Sequence, residues 1–493
     1  MFSKATLKSN LLLYIFFIFI SIIFVFLASL STSPLYPFYY GGDSAQFQTI
    51  GRGWADGLIP YIDLFDHKGP LIFFIDMLGY SLTDSSNGIF IIQVLCMFVT
   101  IIALFKISLL ITSKKLYGII TVIMSLIVLT LVYGDGNLTE EYCLPLLSIS
   151  TYFQLKWLYS YPVLNCNKFY HSPILAAIYG FTFGVTFLTR ITNGITISIG
   201  VLIISVLLIF KKQYLNLAKN ALFFMCGFGM IVLPFIIYFT YHDALNDFFY
   251  ATILYNIEYK EHMIPWVSNC TGNDIVQYGL LYFTSYSIFL TSLLSLINHK
   301  YIFAIYCIIC GILESYLFLS GALFSQYAII TLPQFIMLLN EISLLNSSDN
   351  SIASLKIVFL SAITIYCSIA LSRFITVPAN MHNSYNHYNT IGYENLLEMI
   401  PSNERTSFVA YGDNDLKTIY LLQDLFPYYK YFSIQEWHSR FSEFVKDDIH
   451  KTFEDGDVLW ILVGNSADNI SNILETRYSL MAESGNYKLY RLK

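Results

Sequence analysis

The sequence predicts a polytopic α-helical membrane protein with about eleven transmembrane helices, outer-face juxtamembrane helices and a small C-terminal extracytoplasmic α/β domain. Three observations predict it. Of 493 residues, 56% are hydrophobic and only 12% are charged, against roughly 25% charged in a soluble globular chain. Apolar runs long enough to cross a hydrocarbon core of about 30 Å as helix recur from residue 11 to residue 376. Beyond residue 376 the apolar runs shorten to strand length and charge returns.

The first run, LLLYIFFIFISIIFVFLASL (11–30), is longer than the apolar region of a signal peptide and lacks a clear small-residue cleavage site, so it reads as a retained anchor. Lys4 and Lys8 precede it and set the N-terminus in the cytoplasm. The loop that follows then lies outside. PLIFFIDMLGYSL (70–82) is too short to span, about 20 Å as helix, and carries Asp76 in its middle. Were it a crossing, Lys114 and Lys115 would fall outside and every later basic loop would invert, so it is expected to lie at the outer surface.

Crossings are expected near 11–30, 88–111, 117–134, 142–160, 173–190, 194–210, 220–241, 275–297, 301–319, 328–345 and 355–376. Lys114, Lys115, Lys156, Lys168, Lys211, Lys212, Lys219 and Lys300 then all face the cytoplasm, and the C-terminus lies outside. The polar sets gather on the outer side: 31–87, GDGNLTEEY (134–142), TRITNG (189–194), the 242–274 loop and SGALFSQY (320–327). Cys96, Cys226, Cys307, Cys310 and Cys367 sit inside apolar runs as packing residues, without metal or disulfide spacing.

Two domains are expected, 1–376 in the membrane and 377–493 outside. VPANMHNSYNHYN (377–389) reads as a linker. TSFVAYG, DVLWILVG and the terminal YKLYRLK read as strands, and IQEWHSRFSEFVKDDIHKTF and ADNISNILETRYSLMA carry helical spacing. This region holds no glycine-rich phosphate loop and no catalytic motif.

The first outer loop, GGDSAQFQTIGRGWADGLIPYIDLFDHKGP (41–70), carries the densest polar chemistry. Phe47, Ile50 and Trp54 fall at helical spacing, which makes SAQFQTIGRGWADG a short amphipathic helix with Asp43 just before it. Asp43 reads either as a turn residue after two glycines or as a base able to take a proton from a hydroxyl. Asp66, His67 and Lys68 precede Gly69-Pro70, as a solvated cluster at the headgroups or as a set facing a lipid phosphate or a metal ion.

With these residues in view, the sequence resembles the GT-C glycosyltransferases. More narrowly, it is similar to the bacterial branch related to protein O-mannosyltransferases and lipid A aminoarabinose transferases, the glycosyltransferase family 39 and 83 type. The resemblance rests on Asp43 after the first helix, a G-x-x-x-G-x-x-P-Y element (53–61), the carboxylate-basic-Gly/Pro element at 66–70, LTEEY (138–142), FLTRITNG (187–194) and SGALFSQYAIITLP (320–333). It implies a sugar donor on polyprenyl phosphate and an inverting transfer, with Asp43 in the position of the base. Lys68, Arg190 and His67 are then donor-phosphate candidates, because charge develops on the departing phosphate.

The alternative for Arg190 is snorkelling to the headgroups. Glu140 and Glu141, with Asp66, are candidates for acceptor positioning or a divalent metal, or they solvate a loop. Some relatives bind such an ion, and Asp66 with His67 or His262 are the donors available here, without fixed spacing. The Tyr- and Phe-rich loop 242–263 suits an interfacial belt or a sugar-stacking wall. Glu314 is an intramembrane ionisable group, functional or paired.

The expected activity is transfer of a lipid-linked sugar to a cell-surface glycan, lipid or polymer on the outer face of a bacterial plasma membrane, with no nucleic-acid partner. A flippase for lipid-linked sugars is the rival class, but it requires ionisable groups along a pathway and paired broken helices. A polysaccharide polymerase is the second alternative.

Overall fold

The computed structural model describes residues 4–36, 41–160, 170–322, 324–345, 350–388, 392–412, 416–456 and 458–493. Lys168, expected on the cytoplasmic side, lies outside them. The chain is mostly helical, with a small C-terminal sheet, as a multi-pass membrane protein requires. Contacts divide it into two compact units. One comprises Met1–Ser29, Ile91–Phe235 and Ile264–Val377; the other comprises Leu30–Phe90, Ile236–Met263 and Pro378–Lys493. The C-terminal sheet thus shares a unit with the first loop and the Tyr-rich loop.

Among the described residues, seven helices are long and apolar enough to cross a membrane, or eight if a bent pair is one span. The remaining expected crossings fall on Lys115–Leu129, Thr139–Ser160 and Pro173–Phe187. The first and last of these are shorter apolar helices, and the middle one begins with Glu140 and Glu141.

The bent pair stands where one straight crossing is expected at 275–297. It consists of Gly272–Leu281 and Phe283–Ile297, bent by 66°. Tyr282, at the break, donates its hydroxyl to Phe324 O (2.6 Å) and packs on Tyr278 and Phe318, so one buried side chain fixes the corner. The expected crossing 328–345 likewise opens as a 3₁₀ turn, Ser325–Thr331, before the helix Leu332–Leu344. Pro333 lies in the first turn of that helix, where its missing N–H costs nothing.

In the second unit, Gly42–Ala55 and Pro70–Thr83 are helices, as the spacing predicts, and Phe47, Ile50 and Trp54 are all buried. They cross in close contact at Gly51. A Cβ there would stand 2.4 Å from Asp76 Cβ and 2.8 Å from Met77 N, so only glycine lets the backbones meet.

The sheet has the order β1-β2-β4-β3, with β1 Phe408–Tyr411, β2 Trp460–Val463, β3 Tyr478–Ser484 and β4 Tyr487–Leu492. β1 runs parallel to β2 in the register Phe408↔Trp460, and both are buried along their length. This fits their continuous apolar sequence. β4 is antiparallel to both β2 and β3.

Two expectations are corrected here. YSLMA, read as the end of a helix, forms most of β3. The positive φ of Gly485 turns the chain back so that Tyr478 pairs with Leu492, and cross-strand pairing overrides the local spacing. The segment read as a linker from residue 377 continues the helix Asn350–Tyr388. It contains no glycine, and the next one, Gly392, comes at φ 91°.

Candidate functional site

In the second unit, the loop after Gly42–Ala55 is held by hydrogen bonds among its own backbone and side chains. Ile59 N donates to Asp63 Oδ2 (2.6 Å), Tyr61 N to Leu64 O (2.8 Å), and the buried Tyr61 hydroxyl to Lys68 O (2.8 Å). Phe65 N donates to Lys430 O (2.8 Å) and Asn256 Nδ2 to His67 O (2.8 Å). The Asp66–Lys68 turn is therefore tied to both later segments of its unit.

Within that turn Lys68 N donates to Asp66 Oδ1 (2.8 Å), and Lys68 Nζ lies 2.8 Å from His67 Nε2. An ammonium can only donate, so Nε2 accepts, and the ring proton is left on Nδ1, 3.6 Å from Asp66 Oδ1. Asp66 is buried, and burial raises its carboxyl above the usual range. Lys68 and the backbone hydrogen bond oppose that shift, Asp43 adds to it, and Lys417 opposes it.

Around His67 stand Tyr255, Tyr259 and Trp437, with ring centroids 5.6, 5.9 and 5.6 Å away. Tyr255 and Tyr259 come from the Tyr-rich loop, which here forms a wall against the His67 turn. Behind them the buried His438 has its Nδ1 2.8 Å from the Tyr255 hydroxyl. Burial holds the His438 imidazole down to about 3, and Lys417 and Lys68 push the same way. A neutral imidazole there shares one hydrogen bond with the Tyr255 phenol.

Asp43 opens the helix Gly42–Ala55, its side chain 43% exposed, and Lys417 Nζ lies 3.4 Å from its Oδ1. Lys417, only 5% exposed, follows β1 in the chain. Arg52, at the other end of the helix, pairs with Asp424 (2.9 Å) and covers the Phe426 ring. Asp43, Asp66, His67 and Lys68, all singled out from sequence, thus share this unit and gain Lys417 and His438. Sequence reasoning missed those two, because no local pattern marks a lysine 374 residues from its partner Asp43 or a histidine 183 residues from Tyr255.

The first unit unites the other three motifs. Arg190 Nη1 donates to Glu140 Oε1 (3.0 Å), and its guanidinium carbon lies 3.3 Å from the Tyr327 ring centroid. LTEEY, FLTRITNG and SGALFSQY therefore meet at one ion pair on an aromatic face. Glu140 also accepts from Thr139 Oγ1 (2.9 Å).

Its neighbour Glu141 is fully engaged elsewhere, accepting from Gln93 Nε2 (2.9 Å), Asn137 N (3.0 Å) and the Tyr133 hydroxyl. It fastens the turn before its helix, where a Cβ on Gly136 (φ 78°) would meet Ser29 Oγ at 2.3 Å. Glu314 is likewise buried and satisfied, by Thr196 Oγ1 (2.7 Å), Ser285 Oγ (3.0 Å) and Gln334 Nε2.

Among the described residues no group of three or more His, Cys, Asp or Glu could hold a metal ion. Asp66 and His67 adjoin each other, whereas the exposed His262 is bonded through Nδ1 to Glu258 O (2.9 Å). Among the described residues this donor set does not fit a resident metal.

No family model matches the chain, and no curated protein matches it by sequence. Solved structures do match it in fold. One is ArnT from Cupriavidus metallidurans bound to undecaprenyl phosphate, at 14% identity and TM-score 0.58, covering 97% of each chain. Another is the oligosaccharyltransferase of Archaeoglobus fulgidus tethered to an acceptor peptide containing the NVT sequon. It has 10% identity and TM-score 0.51, and the match covers 96% of this chain and 74% of that one. The likeness is one of fold.

Proposed function

We propose that this chain, which has the GT-C fold, transfers a sugar from a polyprenyl-phosphate donor to a cell-surface glycan or lipid on the outer face of a bacterial plasma membrane. The observation that carries the reading is the gathering of Asp43, Asp66, His67, Lys68 and Lys417 in one compact unit. It pairs a half-exposed carboxylate with a cationic cluster. A full-length fold likeness to a protein solved with undecaprenyl phosphate supports the same donor class.

In this reaction the acceptor hydroxyl oxygen forms a bond to the anomeric carbon from the face opposite the phosphate. The bond from that carbon to the phosphate oxygen breaks, and its electron pair leaves with the polyprenyl phosphate. Asp43 takes the acceptor proton, a role worth typically 10²–10⁴-fold in general-base catalysis. Lys68, with its Nζ shared with His67, offsets charge growing on the leaving phosphate. The Tyr255–Tyr259–Trp437 wall limits water at that cluster.

Surface glycans of a deletion strain, compared by mass spectrometry with the parent, test the reading. The deletion is expected to lack one sugar, and a plasmid copy restores it. Liposomes holding the purified protein and labelled lipid-linked sugar decide the rival class: movement of the lipid across the bilayer without bond transfer would establish a flippase. A shortened surface polymer, with its repeat unit intact, would point to a polymerase.

A further inference from the structure

The C-terminal region supplies a cation to the candidate base. A buried ammonium is costly unless it is paired, and Lys417, 5% exposed, faces Asp43 Oδ1 at 3.4 Å. The pair is lopsided: the lysine is enclosed by its own unit, while the carboxylate is 43% exposed.

The charges around the pair sharpen this. Asp66 is coupled to Asp43 as a like charge, and Lys417 opposes it. Lys68 Nζ lies beside His67 Nε2, and its backbone N–H donates to Asp66. His438 is neutral, and Arg52 on the same helix pairs with Asp424. Asp76 of the neighbouring helix is packed at Gly51, two turns from Asp43. Among the described residues, the ion pair seen at the Asp43 carboxylate is with Lys417.

We propose that Lys417 is a positioning residue for Asp43: it holds Oδ1 and leaves the exposed side of the carboxylate toward the acceptor. The inference deepens the proposed function and rests on it. It assigns the C-terminal region a part in the chemistry.

The test follows sugar transfer from extracted undecaprenyl-phosphate-linked donor in membranes of the full-length protein, from about pH 5 to about pH 9. Lys417→Met and Lys417→Gln are expected to move the acidic limb of the rate profile to higher pH and to lower kcat with little change in donor KM. Lys417→Arg should retain the wild-type limb. A role in folding alone would lower the rate equally at every pH.

A recovered neutral variant with the wild-type profile overturns the inference. So does loss of folded protein in both neutral variants, which would assign Lys417 to stability. Asp43→Asn, run alongside, separates the two levels. If it stays active, the functional reading of Asp43 fails. If it is inactive while the neutral Lys417 variants keep the wild-type profile, only the present inference fails.

Discussion

His438 makes the second unit sensitive to acid in a way that can be worked out from its surroundings. The imidazole is buried, shares a hydrogen bond with the Tyr255 hydroxyl through Nδ1, and is held down to about 3 by burial and by Lys417 and Lys68. In the unfolded chain it titrates near 6.5. A depressed folded value means that its contribution is fully present above about pH 6.5 and is lost as pH falls toward about 3. Between pH 7 and pH 5 the unfolded chain binds a proton that the folded chain refuses, which costs about 1.4 kcal/mol per unit below 6.5, or about 2 kcal/mol in all.

Hydrogen exchange of the β1 and β2 amides in the full-length protein, corrected for intrinsic rates, reads this as a roughly 30-fold rise in opening. His438→Gln keeps an acceptor for Tyr255 and should lose that pH dependence. Asp66, raised by burial, has the opposite sign: its contribution is complete below the unfolded carboxyl range and is lost as pH rises through its folded value. It is present in both proteins and cancels in the difference. Equal pH dependence in the wild type and His438→Gln would refute the argument.

Two further outcomes follow from packing and pairing. Gly51→Ala should lower stability by about 1–3 kcal/mol, because the new methyl meets backbone at Met77. Gly53→Ala meets the flexible Leu64 and Leu58 side chains and should cost less, so the two thermal midpoints are compared directly. Arg190→Ala leaves buried Glu140 without its cation and should cost about 3 kcal/mol. Removing both partners, with Glu140→Gln added, should recover most of the thermal stability. Transfer activity that stays low in the double variant would give the Arg190–Glu140 pair a role beyond stability.

Much of the fold was legible because membrane helices and short buried strands announce themselves by apolar runs. Phe47, Ile50 and Trp54 predicted a helix that exists and buries all three, β1 and β2 fall where apolar runs lie between turn residues, and β4 falls on the terminal segment read as a strand. β3 was misread because YSLMA satisfies a helical spacing until the turn at Gly485 pairs it with β4. The bend at Tyr282 has no local mark either, since it depends on the Phe324 carbonyl and on packing with Phe318.

The site shows the same division. Motifs identified Asp43, Asp66, His67, Lys68, Glu140 and Arg190 as polar residues in apolar company. Partners came only with the tertiary structure: Lys417 for Asp43, Tyr327 for Arg190, and Tyr133 and Gln93 for Glu141. That last set explains why Glu140 and Glu141, indistinguishable in sequence, differ. One faces a cation and the other closes a turn.

The central claim is that Asp43 takes the proton of the acceptor, and sugar transfer by Asp43→Asn in reconstituted membranes tests it most directly. The variant should bind undecaprenyl phosphate, keep the wild-type thermal midpoint, and transfer sugar at least about 100-fold more slowly. Transfer within a few-fold of wild type would contradict the account.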